Sequence, residues 1–365
     1  MILLNSDIGN YVISNGRRFS YFGGNNYLGL ASHPEVKEAS IRAIEKYGVN
    51  FSASRRTSGT ADIHLELEKR LSGFKGSENT VVFSSGYQGN GILLEVLKEK
   101  YSTLFIEQYA HASIRSAVHS EKKEAIFYNH CDAEHLESLL FQHKNISALI
   151  ITDGIFPLTG EIAPLDKIYN LAKKYNAVLV VDDAHATGVI GKSGKGTPEY
   201  FNLPEDDNLF QSETMSKALG SYGGFISGTR SFTENIRERS ATYQASTSLP
   251  PSVVAAGIAA LRIIDENRDL QAGLLKKADN MRAMIRNQGF KTTDSITPII
   301  PLMFSDELTA RRLSSYLEEN GFIVPYMNYP SEKQQYLIRI AVSVLHTEEQ
   351  ISELSGVLDK WKSRT

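Results

Sequence analysis

Two hydrophobic rhythms alternate along this chain, and the change from one to the other marks its organisation. Near the start, Tyr11-Val12-Ile13-Ser14 and Arg17-Arg18-Phe19-Ser20-Tyr21-Phe22 flank Asn15-Gly16. Asn-Gly accepts the positive φ angles of a two-residue turn, so a β-hairpin is predicted. Val36, Ile41, Ile44 and Tyr47 then recur at helical spacing, with Pro34 suited to the first turn and Gly48 to the stop. Residues 62–74 keep that rhythm through Leu65, Leu67, Leu71 and Phe74. From residue 79 the pattern becomes short apolar runs, at 80–83, 103–106, 125–128, 147–152, 177–181 and 209–211. Segments of helical composition, such as 133–141 and 165–175, separate the third, fourth and fifth. Apolar strands alternating with helices predict an α/β fold with a mostly parallel sheet covered on both faces.

Pro250-Pro251 punctuates the chain. Helices are predicted at 253–264, 274–287, 308–320 and 348–361, with strands at 296–304, 322–324 and 336–342. That mixture predicts a smaller α+β C-terminal domain. The expected organisation is an N-terminal hairpin and opening segment (1–40), a large α/β domain (41–250) and the small domain (251–365).

Composition narrows the function. A net charge of -3, with Lys and Arg scattered, lacks the basic excess of a nucleic-acid surface. The single cysteine, Cys131, rules out an internal disulfide framework and suits a cytoplasmic location. No secretory signal is visible at the N-terminus, and no apolar run approaches the ~18 residues of a membrane span.

Three polar clusters lie at predicted strand ends, where ligands of open α/β sheets bind. Ser84-Ser85-Gly86-Tyr87-Gln88-Gly89-Asn90 opens a helix, and its hydroxyls and free N–H groups suit a phosphate as well as a plain capped turn. Asp182-Asp183-Ala184-His185 ends a very apolar strand, where a carboxylate is costly unless it caps a helix or meets a cation. No His or Cys cluster at ligand spacing accompanies it, so no metal site is expected. Glu213-Thr214-Met215-Ser216-Lys217-Ala218-Leu219-Gly220 sets a lysine among small residues, where desolvation favours the reactive free amine. Gly191-Lys192-Ser193 is not a P-loop, since Ala186 stands where its first glycine belongs.

In order, Asn25-Asn26-Tyr27-Leu28-Gly29-Leu30, Ser58-Gly59-Thr60, His64, Leu67-Glu68, Ser84-Ser85-Gly86-Tyr87, His111-Ala112-Ser113, Thr152-Asp153-Gly154, Asp182-Asp183-Ala184-His185 and Ser216-Lys217-Ala218-Leu219-Gly220 resemble the α-oxoamine synthases. That family belongs to the class-II aminotransferases, pyridoxal-5′-phosphate (PLP) enzymes of fold type I. The resemblance implies that Lys217 forms the Schiff base with PLP and moves the substrate Cα proton. Asp182 then pairs with the pyridine nitrogen, His185 lies near the ring hydroxyl and His111 stacks on the ring. Ser85, Gly86, Tyr87 and Thr214 are implied to hold the cofactor at its phosphate side. Asn25 and Arg339 match groups at the substrate carboxylate. Ser246-Thr247-Ser248 resembles a segment reaching the neighbouring subunit's cofactor, which implies a homodimer with shared active sites.

The implied activity is condensation of a small amino acid with an acyl-CoA thioester, usually with loss of CO₂, to an α-amino ketone. An aminotransferase would use the same cofactor grip. The chain departs from the family pattern in several places. The segment before Asn25 is too short for the family's N-terminal helix. Pro157 replaces a frequent serine, Thr159 a frequent aspartate, Glu213 a small residue and Leu337 a frequent arginine.

Overall fold

The computed structural model describes residues 2–328 and 336–364. The chain opens with the hairpin β1 (Tyr11–Ser14) and β2 (Arg17–Tyr21), then α1 (Pro34–Tyr47) and α2 (Asp62–Lys75). Next come β3 (Asn79–Phe83), α3 (Gly89–Leu97), β4 (Thr103–Glu107), α4 (Ala112–Ser120), β5 (Glu124–Tyr128) and α5 (Ala133–Gln142). These lead to β6 (Ala148–Asp153), α6 (Leu165–Lys174), β7 (Val178–Asp182), α7 (Thr197–Tyr200), β8 (Leu209–Thr214) and β9 (Gly224–Gly228). The helices α8 (Arg230–Arg239), α9 (Ala241–Ala245), α10 (Pro251–Glu266) and α11 (Asp269–Asn287) follow. The chain closes with β10 (Ile299–Phe304), α12 (Glu307–Glu319), β11 (Phe322–Ile323), β12 (Tyr326–Asn328), β13 (Tyr336–Ala341) and α13 (Glu348–Lys362).

Two compact units result. The larger comprises Pro34–Phe156 and Ile162–Glu266. Its seven-stranded sheet runs β3-β9-β8-β7-β6-β4-β5. Neighbours pair in parallel from β8 through β5, and β9 runs antiparallel to both β3 and β8. Every residue of β4, β6 and β7 is buried. Their side chains alternate between two cores. Leu104, Ile106, Leu149, Ile151, Val178 and Val180 pack with α3 and α4 residues. Phe105, Ile150, Leu179 and Val181 pack with α5 and α6 residues. Each such aliphatic side chain contributes about 1.5–3 kcal/mol on burial, which is why these strands are apolar on both faces.

The smaller unit gathers Met1–His33, Pro157–Glu161 and Asn267–Thr365. It holds a β1-β2-β11 sheet and an antiparallel β10-β13-β12 sheet. Its last helix starts with a reciprocal cap between Thr347 and Gln350.

The units divide differently from the boundaries expected at 40/41 and 250/251. The N-terminal hairpin joins the C-terminal segments because β2 pairs in parallel with β11. The apolar helix α10 stays with the larger unit because it packs on α1 and α2. Among the described residues no helix is long and apolar enough to cross a membrane.

Candidate active site

The larger unit collects polar groups at the carboxyl ends of β6, β7 and β8. Asp153 and Asp182 are partners in register as the last residues of β6 and β7. Asp182 is 6% exposed. Its Oδ2 accepts from Asn90 Nδ2 at 2.7 Å and Ser113 Oγ at 3.3 Å, and its Oδ1 from the Ala184 N–H at 3.2 Å. Asp153 differs: burial, with the Asp182 charge alongside, pushes its carboxyl well above the usual range. Its Oδ2 accepts the His111 N–H at 2.8 Å. The two neighbouring carboxyls therefore differ in setting: Asp182 accepts three hydrogen bonds, and Asp153 holds the His111 N–H.

His111 is the N-cap of α4. Its Nδ1 accepts the Ser113 N–H at 3.2 Å and lies 2.7 Å from Ser113 Oγ. Burial lowers its pKa, Asp182 opposes that and Lys217 adds to it. The imidazole is thus neutral near pH 7, with its orientation fixed by its own helix cap. The Tyr87 ring meets it edge-on at 6.4 Å between centroids.

A second cluster forms where β3 gives way to a short 3₁₀ turn, Gly86–Gln88, and then α3. Ser85 caps that turn by accepting the Tyr87 N–H. Glycine is required here by close approach. A Cβ on Gly86 would lie 2.7 Å from Thr214 Cβ, and one on Gly89 2.2 Å from Ser212 Oγ. Thr214, the last residue of β8, donates to the Gly223 carbonyl at 3.0 Å and sits 2.8 Å from Ser216 Oγ. Lys217 follows, half-buried, in a turn closed by the Gly220 N–H on its carbonyl. Buried His185 lies in the turn after β7. Thr247 is exposed, but its backbone is tied down: its carbonyl accepts from Ser84 Oγ at 2.7 Å, and it bridges to Ser54.

The smaller unit builds its own polar centre around Arg339, on β13 and 5% exposed. Arg339 Nε donates to the Pro157 carbonyl at 2.6 Å. Its Nη2 donates to Asn25 Oδ1 at 2.8 Å and to the Tyr27 hydroxyl at 3.2 Å. Burial raises the Tyr27 pKa although Arg339 opposes this, so the phenol stays neutral. The guanidinium is clamped on two of its nitrogens by neutral groups. Among the described residues Nη1 makes no hydrogen bond, and no carboxylate neutralises the charge. Such a fork suits an anionic, planar ligand. Pro157 needs no side-chain hydroxyl for this task, because it contributes its carbonyl.

These groups fit PLP. Asp182 is buried and oriented by Asn90 Nδ2 and Ser113 Oγ, as a partner for a protonated pyridine nitrogen should be. Among the described residues Ser212 Oγ, buried near Gly89, has no hydrogen-bond partner. Asn90, Ser113 and Asp153 escaped the sequence reading as functional residues. The first two act by orienting Asp182, and a single asparagine or serine in a helix carries no signal for that. Asp153 was visible in Thr152-Asp153-Gly154 but carried no implied role.

The family model for aminotransferase class I and II matches residues 20–358. A putative 8-amino-7-oxononanoate synthase of Acetivibrio thermocellus is 37% identical over 95% of this chain and 90% of its own length. The 8-amino-7-oxononanoate synthase of Thermoanaerobacter pseudethanolicus is 37% identical over 99% of this chain and 92% of its own. Among solved structures, Sphingomonas wittichii serine palmitoyltransferase superposes with a TM-score of 0.94 at 28% identity, covering 100% of this chain and 92% of that one. The 8-amino-7-oxononanoate synthase of Francisella tularensis gives 0.82 at 25%, covering 95% and 98%.

Fold and site thus define a PLP-dependent transferase of fold type I. The chain belongs to the class I and II aminotransferase family, within its α-oxoamine synthase branch.

Proposed function

We propose that the protein condenses a small amino acid with an acyl-CoA thioester, releasing free thiol and CO₂ and leaving an α-amino ketone. The observation that carries this reading is the buried, hydrogen-bonded Asp182 at the end of β7, beside the strand β8 that leads to the lysine-bearing turn, in a chain whose relatives are named as synthases. Bound PLP supplies a pyridinium ring that withdraws the electron pair left at the amino-acid Cα.

The chain's own groups do the rest. Lys217 holds the cofactor through its Nζ and takes the proton from the substrate Cα. Asp182, oriented by Asn90 and Ser113, keeps the ring nitrogen protonated. Neutral His111 stacks on the ring, His185 meets the ring hydroxyl, and Ser85, Gly86, Tyr87 and Thr214 receive the phosphate. Arg339 and Asn25 take the substrate carboxylate. The exposed, backbone-anchored Thr247 reaches the cofactor phosphate of a second subunit in a homodimer, and the enzyme works in the cytoplasm. In the reaction a C–C bond forms between Cα and the acyl carbon while the C–S bond breaks. The Cα–carboxylate bond then breaks, CO₂ leaves, and the electron pair left at Cα takes back a proton from Lys217, while the departing thiolate takes one from solvent.

The relatives' product name narrows the substrates by carbon count. An amino group on C8 beside a C7 ketone points to alanine as the source of the terminal two carbons. The remaining carbons require a linear acyl thioester with a free carboxylate at its far end. Mass spectrometry of products from alanine and such a thioester tests this. An amino ketone lacking the alanine carboxyl supports the reading. Pyruvate with a cofactor converted to its amine form refutes it in favour of transamination.

A further inference from the structure

A buried ionic network lies at the same strand ends, in residues to which the reaction assigns no role. Glu213 immediately precedes Thr214 and is 1% exposed. One of its oxygens, Oε1, accepts from Lys75 Nζ at 2.6 Å and from Thr187 Oγ1 at 2.7 Å. Lys75 is the last residue of α2, its side chain is 5% exposed, and it also donates to the Lys195 carbonyl. Thr187 lies two residues after His185 in the same turn. Its N–H and that of Ala186 both bond to the Asp183 carbonyl at 2.9 Å. The Asp183 N–H in turn extends the β7–β8 ladder onto the Ser212 carbonyl at 2.8 Å. The Asp183 carboxylate is itself held by the Thr197 N–H and hydroxyl and by Gln211 Nε2.

One carboxylate oxygen therefore ties together three segments: the end of α2, the His185 turn, and the end of β8 that leads through Thr214 to Lys217. Burying two carboxylates and a lysine for packing alone is poor economy, since apolar residues of similar volume serve as well or better. What the network adds is a fixed distance between the His185 turn and β8. Glu213 Oε2 has no partner among the described residues, so the link runs through Oε1 alone.

We propose that Glu213, acting through Thr187, is a positioning residue that sets His185 against the ring hydroxyl of bound PLP, with Lys75 as its counter-charge. This rests on the proposed contact between His185 and that hydroxyl. The side chain that isolates the link is Thr187→Val, which keeps the shape and removes one hydroxyl.

The experiment compares wild type, Thr187→Val, Thr187→Ser, Glu213→Gln and His185→Phe as holoenzymes. It reads the ratio of the visible cofactor bands at fixed pH, the PLP dissociation constant, and the melting midpoint of each apoprotein. Thr187→Val and His185→Phe should change the band ratio in the same direction. Thr187→Val should also weaken PLP binding about tenfold, the cost of one unmade buried hydrogen bond, and Glu213→Gln should follow it in sign. Thr187→Ser should restore wild-type spectra and affinity. A shifted spectrum in His185→Phe with none in Thr187→Val overturns the positioning role alone. An unshifted spectrum in His185→Phe overturns the His185 contact and this proposal with it. Loss of apoprotein stability in Thr187→Val without any spectral change reduces the network to a structural one and overturns the proposal as well.

Discussion

Replacing Arg339 by Lys separates charge from geometry at the proposed carboxylate contact. Arg339 uses Nε and Nη2 on Pro157, Asn25 and Tyr27, which leaves Nη1 for a ligand. A lysine keeps the positive charge but cannot donate to Pro157 and Asn25 and also present a second, fixed donor. One hydrogen bond to a charged group is worth about 1.5–3 kcal/mol. Losing one from the amino-acid complex should raise the amino-acid KM by roughly thirtyfold, corresponding to about 2 kcal/mol. Arg339→Ala loses the charge too and should raise it further. PLP affinity should stay within about twofold in both, because every cofactor contact proposed here comes from other residues. The assay is initial-rate thiol release against amino-acid concentration, with a spectroscopic PLP titration of each variant. An unchanged amino-acid KM in Arg339→Ala, or a loss of PLP binding equal to the loss of amino-acid binding, refutes the assignment.

Three further outcomes follow from the geometry. Lys217→Ala should abolish turnover, and borohydride treatment of wild-type holoenzyme should place the reduced cofactor on the peptide containing Lys217; label on another lysine contradicts the assignment. Gly86→Ala forces a Cβ against Thr214 and should weaken PLP binding about tenfold, at the ~1–3 kcal/mol of an overpacked contact; wild-type affinity would show that the turn yields freely. His346 is held neutral: burial brings it down to about 4, its Nδ1 accepts the Ser343 N–H and its Nε2 donates to the Tyr21 carbonyl. Because its folded pKa lies below the unfolded value of about 6.5, its contribution is complete above that pH and is lost as pH falls towards 4. Between pH 8 and 5.5, His346→Gln should therefore lose about 1 kcal/mol less unfolding free energy than wild type in denaturant titrations; parallel losses would contradict this.

Where the chain is apolar on both faces the fold was legible. The runs that become β4, β6 and β7 lie within a residue or two of their observed bounds, because such residues have no other stable placement than a covered sheet; the run that becomes the edge strand β5 was equally well placed, although most of it is exposed. β9 was not legible. It is bounded by Gly224 and Gly228, with only Phe225 and Ile226 apolar, and it gains strand geometry from pairing with β3 and β8. Nor did α8 stand out, with Arg230-Ser231-Phe232-Thr233-Glu234-Asn235 opening a helix of low apolar content. β8 continues past the predicted 211 to Thr214 because Ser212, Glu213 and Thr214, polar in sequence, are all buried, Glu213 against Thr187 and Lys75 and Thr214 against the Gly223 carbonyl.

The same limit applies to the site. Lys217, Asp182 and His185 stand in short motifs, so they were visible. Asn90 reaches Asp182 across 92 positions and Lys75 reaches Glu213 from another helix, contacts that only the fold creates. Glu213 itself was noted as a departure from the family pattern, but its counter-charge was not foreseen.

The most direct test of the account is free-thiol release by the purified, PLP-loaded protein offered an acyl-CoA panel with alanine, glycine, serine and larger amino acids. The account predicts release that needs both an amino acid and an acyl thioester, that is fastest with alanine, and that vanishes in Lys217→Ala. Thiol release independent of any amino acid, or none with any pair while the cofactor converts to its amine form, would contradict it.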